Sequence, residues 1–241
     1  MLIWIILSTL GISLIAILAA VSLSFKDSLL DKLIKYLIAL SIGALLGGAF
    51  LHLLPEAAGE KPSALTFALL GIVLFLVIEK VLHWRHCHDG HCEKHPFTYL
   101  VLIGDSVHNL IDGVIIAGAF LVDWKIGLIT VVAIALHEIP QELGDFAILV
   151  YGGFTKKKAL LINFLSAITV VIGGIAGYFL FERIENWLPY ILALAAGGFI
   201  YISLADLIPE LHREKSRRKQ MALFAIVIIG MILMYMLTFF E

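Results

Sequence analysis

Charge is what this sequence has least of. Only 15% of its 241 residues are Asp, Glu, Lys or Arg, where a soluble domain carries roughly 25%. With 61% hydrophobic residues and a mean hydropathy of +1.01, that shortage excludes a soluble globular protein and implies an integral membrane protein. There is no room for a soluble domain, so residues 1–241 read as a single transmembrane domain. A Gly-rich phosphate loop is also missing, which disfavours an ATP-driven pump. Cysteine is scarce: Cys87 and Cys92 are the two in the chain, close together in one hydrophilic loop. They could pair or bind metal, and the compartment decides between those outcomes. The first apolar run lacks a basic start and a small-residue cleavage site, so it reads as a retained span. The net charge of -2 identifies no partner, and no nucleic acid is expected.

What remains is length and apolarity. A helix crosses a bilayer core with about 20 apolar residues. Eight runs qualify, approximately 2–24, 33–54, 63–83, 98–121, 126–152, 157–180, 188–209 and 220–240. The expected fold is therefore all-α and polytopic, with eight transmembrane helices. Fourteen of the 17 Lys and Arg residues fall in loops after odd-numbered runs; Lys61, Lys125 and Arg183 are the three exceptions. Basic loops stay cytoplasmic, which places both termini outside. GGAFLHLLPE (47–56) ends the second run, and GGFIYISLADLIPE (197–210) ends the seventh. Both carry polar-x-x-Pro-Glu after a Gly-Gly, at opposite mouths, as an inverted repeat would.

Two polar interruptions carry the chemistry: HNLIDG (108–113) and HEIPQELGD (137–145), each near the middle of its run. Residues four apart share a helix face, so His108 pairs with Asp112, His137 with Gln141 and Glu138 with Glu142. Asp105 and Asp145 continue these stripes inward. Each carboxylate at a helix centre costs about 2.5–3.5 kcal/mol on insertion scales. Asp105, Asp112, Glu138, Glu142 and Asp145 together cost on the order of 10 kcal/mol or more, and a whole domain is stable by only about 5–15 kcal/mol. No buried Lys or Arg lies in either run to offset them. A divalent cation, or protons, must do so. Imidazole with carboxylate suits zinc, iron(II) or manganese, and the absence of thiolates there argues against copper(I). Pro140 frees the carbonyl of Leu136 beside His137, tolerable in a membrane only against protein, water or an ion. Asn163, Ser166 and Thr169 lie along one face of the sixth run, a pattern that favours helix packing. Glu79 and Lys80 read as interfacial charges. The loop at 84–97 offers His86, Cys87, His88, His91 and Cys92 as further candidate ligands, in no closed zinc-finger spacing.

These motifs resemble the ZIP (Zrt/Irt-like protein) family, in particular its histidine-rich subgroup. IGDSVHNLIDG resembles the subgroup's HNxxDG motif, and HEIPQELGDFAILV its HEIPHELGD signature; NFLSAIT, LHLLPEA and AGGFIYISLADLIPEL are also similar. The resemblance implies an inverted 3+2+3 arrangement, homodimers and metal influx by an elevator-like movement. It implies a main transport site of His108, Asp112, His137 and Gln141, and an adjacent site of Asn109, Asp112, Glu138 and Gln141. The ion would enter past His52 and Glu56 and leave past Asp105, Glu142, Asp145 and Asp206. Zinc is the first expectation, with cadmium, iron or manganese next, in the plasma or inner membrane. Gln141 replaces the subgroup's usual second histidine; its harder, neutral oxygen shifts preference away from zinc. The same replacement spoils the HExxH zinc-protease motif, the alternative reading of an intramembrane hydrolase.

Overall fold

The computed structural model describes residues 1–24, 27–86 and 97–239. The candidate loop ligands Cys87, His88, His91 and Cys92 lie outside the described residues, as does the side chain of His86. Among the described residues every regular element is helical, and eight helices are long and apolar enough to cross a membrane. They are α1 (Leu2–Ser22), α2 (Lys32–Glu60), α3 (Pro62–Val81), α4 (Phe97–Val122), α5 (Trp124–Tyr151), α6 (Lys156–Ile184), α7 (Leu188–His212) and α8 (Arg217–Leu237). The expected eight spans are all present. Several extend beyond the apolar runs.

The ends have local causes. Asp123 separates α4 from α5, and its side chain accepts from the amides of Lys125 and Ile126, capping α5. Such a cap is worth about 1 kcal/mol. The turn after α5 contains Gly153 at φ 101°, where a side chain would be strained. The Thr155 hydroxyl then accepts from the Lys158 amide at the start of α6.

Two spans are not uniform α-helix. In α2, residues Gly48–Leu53 widen into a π-helical turn, and the amide of Leu54 reaches back to the carbonyl of Ala49. In α7, residues Ile202–Leu207 do the same, with Ile208 reaching Ser203. Each turn begins seven residues before a proline, Pro55 or Pro209. The proline ring repels the carbonyl one turn earlier and offers no donor, so the ladder opens there. Such bulges are frequent at functional sites. Apolar periodicity alone gives no sign of either.

Glycines set the closest crossings. A Cβ on Gly43 of α2 would stand 2.9 Å from the Cα of Gly230 in α8. One on Gly71 of α3 would stand 3.1 Å from the Cα of Gly197 in α7. In α4, a Cβ on Gly113 would come within 2.9 Å of the Gly173 carbonyl carbon in α6. Small residues give lipid-embedded helices their closest packing. Here the α4–α6 contact fixes the rotation of α4 beside Asp112. Hydrogen bonds support it: Ser106 meets Ser166 at 2.7 Å, and the Thr169 hydroxyl donates to the Ser106 carbonyl at 2.9 Å. Ser166 and Thr169 on the polar face of α6 thus serve its packing against α4.

Replacing Gly173 with Val should therefore separate α4 from α6, costing about 1–3 kcal/mol or more by overpacking. Gly11→Ala, where a Cβ meets nothing within 4 Å, is the control. Thermal unfolding in detergent should show a lowered midpoint for the first variant and little change for the second.

Candidate metal centre

The polar motifs of α4 and α5 meet at the middle of the bundle. His108 and Asp112 lie one turn apart on α4; His137, Glu138 and Gln141 lie on the facing stretch of α5. All five are buried, with exposures of 7% or less. The two imidazoles turn the same atom inward, Nε2 to Nε2 at 3.3 Å. Asp112 Oδ2 sits 3.1 Å from His137 Nε2 and 3.6 Å from His108 Nε2. Glu138 Oε1 stands 3.5 Å from His108 Nε2 and 3.7 Å from His137 Nε2. One ligand atom from each of these four residues lies within 4.8 Å of the others. Two imidazole nitrogens and two carboxylates converging in this way suit a divalent transition metal.

A cavity of about 650 Å³ leads to this group. His108, Asp112, His137 and Gln141 line it together with His52 and Glu56. It opens at the end of the bundle where α2 and α8 finish and α5 begins, as Pro55, Thr238 and Ile126 on its wall show. The π-turn of α2 contributes Gly48, Leu51 and His52 to the wall, so the bulge shapes the approach. His52 Nε2 stands 2.8 Å from the Met234 carbonyl.

Deeper than the imidazoles lies a second group. Asp105, Glu138 and Glu142 also bring ligand oxygens within 4.8 Å of one another. Asn109 donates to Asp105 Oδ1 at 3.0 Å, and Gln141 to the same oxygen at 3.4 Å. Asn163 of α6 hydrogen-bonds Glu142 Oε2. Asp145 is buried beside them. Asp206 is elsewhere, in the π-turn of α7 near Glu79, whose carboxylate accepts from the Tyr201 hydroxyl. Glu79 thus contacts α7. The geometry adds Phe199, which meets the His108 ring edge-on with centroids 5.2 Å apart and lines the cavity. Only the crossing of α7 over α4 brings it there, and an apolar run marks no single phenylalanine.

Eight apolar helices around a buried imidazole–carboxylate cluster define an integral membrane protein with a group that could hold a divalent metal ion. The family model described as ZIP Zinc transporter matches residues 1–98 and 86–238, and the chain belongs to that family. "Zinc transporter ZIP13" of Pongo abelii is 32% identical over 226 residues, covering 86% of this chain and 67% of its own length. "Zinc transporter zipt-7.2" of Caenorhabditis elegans is 29% identical, covering 93% of this chain and 62% of its own length. The human "Zinc transporter ZIP6" is 44% identical over 120 residues, which is 49% of this chain and 16% of that protein. The chain is a metal transporter rather than an enzyme.

The ligands must be deprotonated to bind metal. Zinc affinity of the purified protein should therefore fall in acid, as the ligands take up protons. Isothermal titration over a descending pH series reads this directly; affinity that never falls would speak against ligation by titratable side chains.

Proposed function

We propose that the chain moves zinc across the membrane without nucleotide hydrolysis, and that His108, Asp112, His137 and Gln141, with Glu138 beside them, form its transport site. The observation that carries this reading is the pair of imidazole Nε2 atoms, 3.3 Å apart and within 3.6 Å of one carboxylate oxygen, at the floor of an open cavity. The ion enters past Glu56 and His52. It leaves on the opposite side, past Asp145 and the Asp206–Glu79 pair. The basic loops lie on that far side, so the positive-inside bias makes the movement an influx into the cytoplasm. Iron(II), manganese and cadmium are the further substrates that the mixed nitrogen and oxygen ligands allow.

An inverted repeat supports an alternating-access movement. The π-turns of α2 and α7 stand at the same distance from their prolines, and Gly43 and Gly197 each lie twelve residues before them. Each of those glycines makes a close crossing, with α8 and α3 respectively. Two halves of this kind, related by a pseudo-two-fold axis, are the frame against which a metal-carrying bundle of α4 and α5 slides.

In proteoliposomes the protein should take up zinc without ATP, and His108→Ala with His137→Ala should reduce uptake to that of empty vesicles. Uptake unchanged in the double variant would sink the site assignment. Gln141→His replaces an oxygen ligand with nitrogen. In competition uptake against manganese it should raise the preference for zinc about tenfold or more, the equivalent of about 1.4 kcal/mol.

A further inference from the structure

Far from the metal centre, a second cavity of about 440 Å³ lies where α2 and α8 begin, beside the turn that joins α7 to α8. Lys32, Lys35, Lys219 and Glu214 stand on its wall. We propose that this cavity binds the phosphate headgroup of an anionic phospholipid, held between α2 and α8 at the cytoplasmic surface of the membrane. The proposal goes beyond the transport reading and uses none of the metal-site residues.

The first observation is charge. Three lysines face one carboxylate in the cavity, and that carboxylate is already engaged. Glu214 Oε2 pairs with Lys35 Nζ at 2.8 Å, and its Oε1 accepts from the Ser216 amide at 3.2 Å. The Gln220 amide donates to the Glu214 carbonyl and holds the same turn in place. Among the described residues, Lys32 and Lys219 form no ion pair. The cavity thus keeps a surplus of two positive charges, which a lysine ammonium presents to phosphate as a point charge. Helix ends add to it. The positive ends of two helix dipoles lie here, and such ends favour anions. Ser216, which caps α8, makes no side-chain hydrogen bond to the first amides of that helix.

The second observation is the floor, which is apolar. Leu223 is 2% exposed, and Ile34 and Tyr36 pack against the same core cluster. Beyond it, α8 continues into the hydrocarbon region with Phe224 and Ile228 exposed. A soluble phosphate has no use for such a surface, whereas a lipid lays its acyl chains along it. The lysine stems cover apolar surface while their ammonium groups stay at the headgroup level.

The third observation is depth. Lys35 precedes Pro55, on the wall of the metal-entry cavity, by twenty residues of α2. At 1.5 Å per residue that is about 30 Å, the thickness of the hydrocarbon core. The lysine cavity therefore sits at the headgroups of the leaflet opposite the entry. The excess of lysine and arginine on that side makes it cytoplasmic, and anionic lipids give that leaflet its negative surface potential. Tyr36 stands where interfacial aromatics gather.

The test gives the full chain mixed micelles of phosphatidylglycerol and phosphatidylcholine and counts retained lipid by native mass spectrometry. The unaltered chain should keep one phosphatidylglycerol in preference to phosphatidylcholine. Lys32→Gln with Lys219→Gln changes two exposed side chains and leaves the Lys35–Glu214 pair intact. It should lower that retention on the order of tenfold or more, at about fivefold per lysine near a membrane surface. Lys157→Gln with Lys158→Gln removes the same charge from the start of α6, on the same side but outside this cavity, and should leave retention unchanged. Equal loss in the two variants means diffuse surface attraction and overturns the site, as does equal retention of both lipids by the unaltered chain. Glycerophosphoglycerol, the soluble headgroup without acyl chains, should fail to displace the lipid. Displacement by it would mark a site for soluble phosphate and overturn the lipid assignment.

Discussion

Five carboxylates lie buried along α4 and α5, and among the described residues no lysine or arginine is buried with them. That imbalance governs the rest of the structure. In lipid such groups persist only where protein, water or a cation satisfies them. The bundle satisfies part of the demand from within, through the amides of Asn109, Gln141 and Asn163. Among the carboxylates, ligand oxygens of Asp112 and Glu138 gather with the two imidazoles, and those of Asp105, Glu138 and Glu142 gather with one another.

Packing follows from holding those groups together. α4 must present His108 and Asp112 to α5 at a fixed rotation. The close approach of Gly113 to Gly173 and the Ser106–Ser166–Thr169 hydrogen bonds provide it. α5 must place His137 opposite while carrying Pro140 inside its helix. α2 then contributes a widened turn rather than a plain helix. That turn lines the route from the open end of the bundle to the imidazoles.

Much of this was legible in the residues. The shortage of charge, the eight runs and the distribution of lysine and arginine specify a polytopic helical protein, because each depends only on solubility in lipid. The grouping of His108 with Asp112 and of His137 with Gln141 follows from the 3.6-residue period. Helix geometry also aligned Asn163, Ser166 and Thr169 for packing. Glu79 was read as an interfacial charge, and α7 brings Tyr201 to it. Asp105 and Glu142 were read as part of the polar constellation and of the exit path, and they stand with Glu138 in one compact group.

The sequence by itself determined which residues share a helix face and how deep each lies, because local backbone geometry and hydrophobic length set both. Only the tertiary structure decided which faces meet. The rotation of α4 against α5, the route past α2 and the arrival of Phe199 beside His108 depend on where glycine crossings let backbones touch. Which oxygen of Asp105 or Glu142 is tied to an amide was likewise decided there. Those are relations between segments far apart in the chain, and no periodicity within a single run contains them.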